Sequence, residues 1–471
     1  MSEKIKVQDV TPKAESYDLY QSHEKIYIRR VKGLFRSLRF FGGVFLFTLY
    51  FGSPWLNWGS RQAIWFDLPS RKFYIFGITF WPQDFMLLSW LLIISAFSLF
   101  FITVYAGRVW CGYTCPQSVW TWIFMFLEEK TEGQRNRRIK LDAQSMNAEK
   151  FLRKGSKHIS WLMVAFWTGF TFVGYFSPIR SLLVDAITFS VSGWSLFWIM
   201  FFTVATYLNA GWMREQVCIY MCPYARFQSV MFDKDTLIVS YEPKRGEARG
   251  SRKRGVDPKE LGLGDCIDCD LCVQVCPTGI DIRDGLQYEC ISCAACIDAC
   301  DSVMDKMGYE KGLIRYTTEH NLSGERTNPL RPRLIGYGAA LTVMISLFSY
   351  TIATRIPLAM DIIRDRGALH RITPNGMVEN SYQIKIMNMA EEQRKFVLSI
   401  DGPDQLKIIN NPSITLNSGE SVDLPLTVVA PPRSLKAPSQ PVFFTLTDKD
   451  NDKVKVTTES RFFGPTNFKH H

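Results

Sequence analysis

Histidine is scarce in this chain: its 471 residues carry six, and none lies inside an apolar run long enough to cross a bilayer. His158 borders such a run, His23, His320 and His370 stand apart, and His470 and His471 read as a plain terminal tail. A bis-histidine haem between membrane helices is therefore not expected. No G-x-G-x-x-G falls between a strand and a helix, so no nicotinamide or flavin domain is visible, and there is no P-loop. The opening MSEKIKVQDV mixes acidic and basic groups without an apolar core, so no cleavable signal peptide is expected. Cysteine is missing from the last hundred residues, and the twelve present all fall in four tight clusters. The disulfide framework of a small secreted domain does not look like this.

What is present is apolar sequence in blocks. Hydrophobic residues make up 47% of the chain and gather into five candidate spans, at about 34–56, 85–105, 159–176, 196–212 and 334–353. Their interiors lack charge, as hydrocarbon demands. Much of the net charge of +10 flanks them. It is assigned to topology and lipid headgroups, not to nucleic acid, for which no recognition motif is present. Lys25, Arg29, Arg30, Lys32, Arg36 and Arg39 lie at the start of the first run. Arg135, Arg137, Arg138, Lys140, Arg153, Lys154 and Lys157 fill the second connection. The first connection has only Arg61, Arg71 and Lys72, and the third only Arg180. This asymmetry places the N-terminus in the cytoplasm. Five crossings then put the segment after Ala353 in the periplasm. The aromatic loop WLNWGSRQAIWFDLP reads as an interfacial belt.

A cytoplasmic region is expected over 213–333. It opens with the basic linker EPKRGEARGSRKRG, read as a solvated loop near anionic lipid, and eight cysteines follow within 35 residues. From about Thr373 the pattern turns to period two, in YQIKIMNM, KFVLSID, QLKIIN, SVDLPLTVVA, PVFFTLTD and KVKVTTES. The turn sequences DGPD, NNPS, NSGE and DKDND separate these runs. Short alternating strands at this spacing predict a β-sandwich.

Two cysteine runs carry the most specific chemistry. Cys266-x2-Cys269-x2-Cys272-x3-Cys276 is followed by Pro277, and Cys290-x2-Cys293-x2-Cys296-x3-Cys300 by Asp301. This is the spacing of bacterial two-cluster ferredoxins. Three close thiolates wrap one face of a cubane, and the fourth crosses from the other run. One [4Fe–4S] cluster is therefore assigned to Cys266, Cys269, Cys272 and Cys300, and the other to Cys276, Cys290, Cys293 and Cys296. Structural zinc also uses Cys-x2-Cys pairs, but not a ladder of this form repeated twice. Paired clusters beside a membrane imply one-electron transfer.

The other four cysteines form Cys-x-x-x-Cys-Pro pairs at span ends: Cys111 and Cys115 in WCGYTCPQSV, Cys218 and Cys222 in VCIYMCPYARFQSV. With Gln-Ser-Val downstream of each, they form an internal repeat. In a continuous helix the i, i+4 spacing puts both sulfurs of a pair on one face. Pro116 and Pro223 suit the first position of a new helix. Such a helix start favours thiolate next to it. Soft thiolates select Cu(I), and Met221 offers a thioether. A copper site, a dithiol relay and plain packing of helix ends are all compatible with these residues.

The motifs C-G-Y-T-C-P and C-I-Y-M-C-P, the two-cluster ladder, a fifth span and a cysteine-free β domain follow one another in this chain. In that order they resemble the cytochrome c oxidase accessory family called CcoG, FixG or RdxA, over nearly the whole length. The resemblance implies an inner-membrane protein serving assembly of cbb3-type cytochrome oxidase. It implies a cupric reductase with copper handled at Cys111, Cys115, Cys218 and Cys222, and an immunoglobulin-like C-terminal part. The membrane half also resembles the quinol-oxidising subunit of periplasmic nitrate reductase systems.

The expected organisation is a mixed membrane protein. It has a cytoplasmic arm (1–33) and a four-helix membrane domain carrying both Cys-x-x-x-Cys-Pro motifs (34–212). A cytoplasmic region follows (213–333), with a ferredoxin-like two-[4Fe–4S] domain at about 258–310. A fifth helix (334–353) and a periplasmic immunoglobulin-like domain (373–471) complete it. The expected activity passes electrons from an unidentified donor through the clusters to Cu(II). Oxidase assembly factors or subunits and membrane lipid are the expected partners. The competing readings are a quinol dehydrogenase feeding a periplasmic partner, and a non-enzymatic assembly scaffold or redox sensor.

Overall fold

The computed structural model describes residues 25–365, 367–409 and 413–465. His23, His470, His471, most of the expected arm and the Asn-Asn-Pro of the NNPS turn lie outside the described residues. A backbone in hydrocarbon must satisfy its own polar groups, so the apolar runs fold as helices. Among the described residues four helical stretches are long and apolar enough to cross a membrane: Leu34–Trp55, Pro82–Ala106, Gly193–Met213 and Pro332–Ala353.

In chain order the helices are α1 (Leu34–Gly52), α2 (Phe85–Ala106), α3 (Val109–Tyr113), α4 (Pro116–Glu132), α5 (Arg135–Ala143), α6 (Ala148–Val173), α7 (Ile179–Ile187), α8 (Gly193–Thr206) and α9 (Pro223–Met231). The expected third span falls in the second half of α6. The first half, AEKFLRKGSK, is charged, so α6 is amphipathic and is not one of the four apolar helices. It packs along α8 and α4, while the last helix, Pro332–Ala353, packs on α2. Trp161 of α6 lies 5.5 Å from the Phe124 ring of α4 and donates its indole N–H to the Phe124 carbonyl at 2.9 Å.

Below that aromatic contact is a buried ionic network. Glu128 and Glu132, one turn apart on α4, are both fully buried. Arg214 lies 2.8 Å from Glu128, and Arg138 and Lys25 stand at 3.4 and 3.5 Å. Lys157 and Lys154 meet Glu132 at 2.8 and 3.0 Å. The basic residues of the second connection are therefore partners of buried carboxylates as well as topology signals.

The first connection is more ordered than an interfacial belt. Strands Ile64–Asp67, Lys72–Ile75 and Ile78–Phe80 form an antiparallel sheet. Gln62 ties this loop to the far end of α6, donating to Gly174 O at 2.8 Å and accepting from Ile179 N. Arg61 pairs with Glu391 of the C-terminal domain, and Thr79 donates to the same carboxylate at 3.3 Å.

The C-terminal domain is a β-sandwich. One sheet runs Lys407–Ile408, Ser421–Ala430, Val378–Asn388, Leu358–Arg364, and the facing sheet Ile414–Leu416, Arg394–Asp401, Ser439–Asp448, Lys455–Phe463. Inward positions such as Ile384, Phe396, Val428, Phe444 and Phe462 build a shared core. The sandwich begins at Leu358, earlier than the pattern from Thr373 indicated, because LAMDIIR lies too close to the membrane helix to read as a separate strand. The short strand Ile414–Leu416 was also not foreseen.

The eight ferredoxin cysteines lie between two paired strands, Ile238–Tyr241 and Ile314–Thr317. This cluster domain sits at the start of α1, and the sandwich sits by the loop at its end. α1 has 19 residues and is about 28 Å long, so the two domains occupy opposite ends of the helical bundle.

Burial alone would raise the pKa of Glu128. Arg214, with Lys25, Arg138 and Lys157, overcomes this and holds it down at about 2. A depressed folded-state pKa gives stability above the unfolded value, about 4.3. That stability is lost as pH falls toward 2. Glu128→Gln strands two buried guanidiniums, and is expected to cost about 3–5 kcal/mol and to flatten the acid limb of a thermal-unfolding series between pH 5 and 3. An unchanged melting temperature at pH 7 would contradict this role.

Candidate redox site

The two cysteine runs share one backbone device. Asp268 and Asp270 in the first run, and Ser292 and Ala294 in the second, adopt left-handed φ of 52°, 53°, 51° and 58°. These are equivalent positions, two and four residues after the first cysteine of each run. Each non-glycine residue held there costs about 1–2 kcal/mol, which persists only when the surroundings impose it. The result is two concave loops with the cysteines facing inward.

Two cavities follow. One is lined by Cys266, Cys269, Cys272 and Cys300. The other is lined by Cys276, Cys290, Cys293 and Cys296, with Cys272 at its edge. Among the described residues no three His, Cys, Asp or Glu side chains converge on a single-ion site. The cysteines instead surround voids, an arrangement that fits a group larger than one ion. Burial pushes the Cys272, Cys290 and Cys300 thiols up to about 12. On their own they stay protonated, and a bound metal's charge is what ionises them. Soft sulfur donors, inward loops and paired cavities together fit [4Fe–4S] groups. Cys269 is exposed and Cys293 buried, so one cavity faces solvent and the other faces the helices.

Arg283 holds the first loop. Its guanidinium, only 7% exposed, lies 2.7 Å from Asp268, 2.6 Å from Asp270 and 2.6 Å from Asp281. It therefore binds both left-handed aspartates at once. No spacing rule in the sequence marked it.

The cluster domain is docked to the membrane helices at two points. Asp298, between Cys296 and Cys300, accepts the backbone N–H groups of Phe35 at 3.2 Å and Arg36 at 2.8 Å. It supplies an N-terminal cap to α1 from another part of the chain. Gly33 is needed there, since a Cβ would lie 2.2 Å from the Asp298 carboxyl carbon. The second point is Gly112, where a Cβ would meet Ile291 O at 2.8 Å and Cys293 Cα at 3.0 Å. Gly112 stands between Cys111 and Tyr113, so the first Cys-x-x-x-Cys-Pro motif rests on the backbone of a cluster loop. Cys111 packs on the group containing Val275, Ile291 and Cys293.

The Cys-x-x-x-Cys-Pro motifs are not continuous helices. Cys111 lies in α3, but Cys115 is the cap residue of α4 with ψ of 127°. Cys218 lies in a π-helical turn, Val217–Met221, and Cys222 caps α9. A residue before proline is barred from helical geometry, which breaks each motif at its second cysteine. Pro116 and Pro223 do open new helices. Burial pushes Cys111 up to about 12 and Cys218 up to about 11. Their cysteine neighbours add to this and Arg108 opposes it. The thiolate-favouring helix start does not reach these two, which sit a turn earlier.

The tertiary fold brings the two motifs together. Cys115, Cys218 and Cys222 all lie near enough to Cys111 to help raise its pKa, after burial. Gln228 of the second Gln-Ser-Val crosses to the first motif, and Gln117 of the first reaches the chain just ahead of the second. Gln117 donates to Asn209 O at 2.9 Å and Arg214 O at 3.1 Å, and Gln228 accepts from the Cys111 thiol at 3.4 Å. Buried Arg108 donates to Ala225 O in the second motif. The repeat was legible in the sequence, but the use of its glutamines was not. Met221 is exposed.

Inward cysteine loops docked on an apolar helical bundle, with a β-sandwich at the far end, define a membrane-bound iron–sulfur redox protein. Comparison with known proteins agrees. A family described as a 4Fe-4S dicluster domain matches residues 213–319, and one described as an IG-like fold at the C-terminus of FixG matches 348–465. The nitrogen fixation protein FixG of Rhizobium meliloti is 37% identical over 422 residues, 82% of this chain and 80% of that one. Protein RdxB of Cereibacter sphaeroides is 38% identical, over 84% of this chain and 86% of its own. Protein RdxA of the same organism is 37% identical, over 88% and 89%. A crystal structure of a FixG-related protein from Vibrio parahaemolyticus aligns with 23% of this chain and 95% of its own, at 32% identity and a TM-score of 0.21. The chain belongs to the FixG/RdxA family.

Arg283→Ala removes charge-assisted hydrogen bonds worth about 1.5–3 kcal/mol each. Iron is expected to be lost from the solvent-side centre first, with the other centre retained. Iron analysis and low-temperature EPR read this, and uniform loss from both centres would refute a local role.

Proposed function

We propose that this protein reduces Cu(II) to Cu(I) at the four Cys-x-x-x-Cys-Pro thiols, Cys111, Cys115, Cys218 and Cys222, in the service of cbb3-type oxidase assembly. The contact of Gly112 with Ile291 and Cys293 carries this reading, because it leaves no side chain between the first motif and a cluster loop. Cys266, Cys269, Cys272 and Cys300 hold one cluster, and Cys276, Cys290, Cys293 and Cys296 the other. [4Fe–4S] clusters supply electrons one at a time, which matches the single electron that Cu(II) takes. Exposed Cys269 marks the edge where an external reductant delivers, and buried Cys293, packed beside Cys111, marks the side facing copper.

The thiols give the reaction its direction. Soft sulfur donors hold Cu(I) in preference to harder ions. The positive-charge asymmetry of the connections supports a cytoplasmic N-terminus and cluster domain and a periplasmic immunoglobulin-like domain. Placement of those two domains at opposite ends of the bundle is consistent with it. The partners proposed are oxidase assembly factors or subunits and membrane lipid.

The test uses iron-loaded protein, reduced anaerobically and desalted free of excess reductant. Mixed with Cu(II), it is expected to reoxidise its clusters, with their visible absorbance returning and the reduced-cluster EPR signal falling, and to yield Cu(I), trapped by a chromogenic chelator. The quadruple Cys→Ala variant at 111, 115, 218 and 222 should keep its iron and EPR signals and lose most Cu(I) production. Full production in that variant would refute the copper site. Gly112→Val should slow reduction several-fold with both centres intact.

A further inference from the structure

A cavity of ≈ 130 Å³ lies where α1, α4 and the cluster domain meet. Gly112, Ile291 and Cys218 are among its lining residues, so it touches the cluster loop and the second cysteine pair together. Its lining residues include six arginines, Arg29, Arg30, Arg36, Arg39, Arg138 and Arg214, against two acidic residues, Glu129 and Glu215. Arg138 and Arg214 also share Glu128, at 3.4 and 2.8 Å, and Arg30 stands 3.7 Å from Glu129. Counting Glu128 and Asp298, which meets the Arg36 N–H, six positive charges still outnumber four negative ones. Arg39 Nε is buried without a hydrogen-bond partner. Arg29 and Arg30 are exposed at the rim. Val119, Trp122 and Phe126 complete an apolar wall that thins the water and lengthens the reach of those charges.

This lining is the wrong sign for a bare dication. Clefts of one sign raise the local concentration of the opposite sign. We propose that the cavity is the entry vestibule of the copper site and that its substrate is Cu(II) carried in a small anionic carboxylate chelate. This rests on the copper reading above. Cu(II) in the chelate takes one electron from the reduced protein and becomes Cu(I). Cu(I) passes to the cysteine sulfurs, and the hard carboxylate chelate leaves as the free anion.

The experiment compares two complexes on the reduced, desalted protein: Cu(II)–nitrilotriacetate, an anion, and Cu(II)–diethylenetriamine, a cation. The anion's reduction rate should fall with added salt, and the cation's should not. Arg36→Gln with Arg39→Gln should slow the anion about tenfold and leave the cation's rate unchanged or raised. Glu129→Gln should act the other way, tightening the anion. Iron content and EPR of each variant show that the clusters survive.

A second arm needs no turnover. Redox-inert Zn(II)–nitrilotriacetate should bind the oxidised protein by calorimetry, weaken in the double arginine variant and tighten in Glu129→Gln. Equal salt slopes for the two copper complexes, or zinc-chelate binding indifferent to both variants, overturn the vestibule. If neither copper complex reoxidises the clusters while the zinc chelate binds in the arginine-dependent way, the copper reading fails and the anion cavity stands.

Discussion

The carboxylate of Asp298 on the N–H groups of the second and third residues of α1 is the contact that makes one machine of two parts. A helix N-terminus carries unsatisfied donors and a partial positive charge, and Asp298 brings the complementary group from between two cluster cysteines. It is only 6% exposed, so water competes little for it. With Gly33 and Gly112 both lacking side chains that would hold the surfaces apart, the cluster domain is seated directly on the helices. Any electron path from buried cysteines to the membrane motifs depends on that seating.

The second organising feature is a repeat used twice in different ways. Each Cys-x-x-x-Cys-Pro segment breaks at its proline and restarts a helix, so both place a cysteine before a turn and another at a cap. The two halves then lock together, Gln228 accepting from Cys111 of the first copy and Gln117 reaching Asn209 and Arg214 just ahead of the second. The Glu128–Glu132 network beside them fixes α4 against α6 and the segment after α8. Buried charges of this kind are costly unless fully paired; here three basic residues surround one carboxylate and two the other.

The other end of the bundle is closed by different means. A small sheet forms in and after the aromatic loop, and Arg61 and Thr79 join it to the sandwich through Glu391. The sandwich carries a conventional two-sheet core.

Local pattern by itself determined the apolar helices, the alternating strands of the sandwich and the two cysteine ladders. Each of these is written in spacing: runs of apolar residues, period two, and x2-x2-x3. The expected span at 159–176 covers only the apolar half of α6, because a window does not see the ionic partners of the charged half. The membrane-motif breaks at Cys115 and Cys222 were half legible, since Pro116 and Pro223 announced new helices while the cysteine spacing argued for continuity. Only the tertiary structure decided that four cysteines from two distant hairpins share a neighbourhood, that Asp298 and Arg283 hold the cluster loops, and that six arginines face one cavity. Those choices rest on contacts between residues up to a few hundred positions apart, and periodicity carries no information at that range.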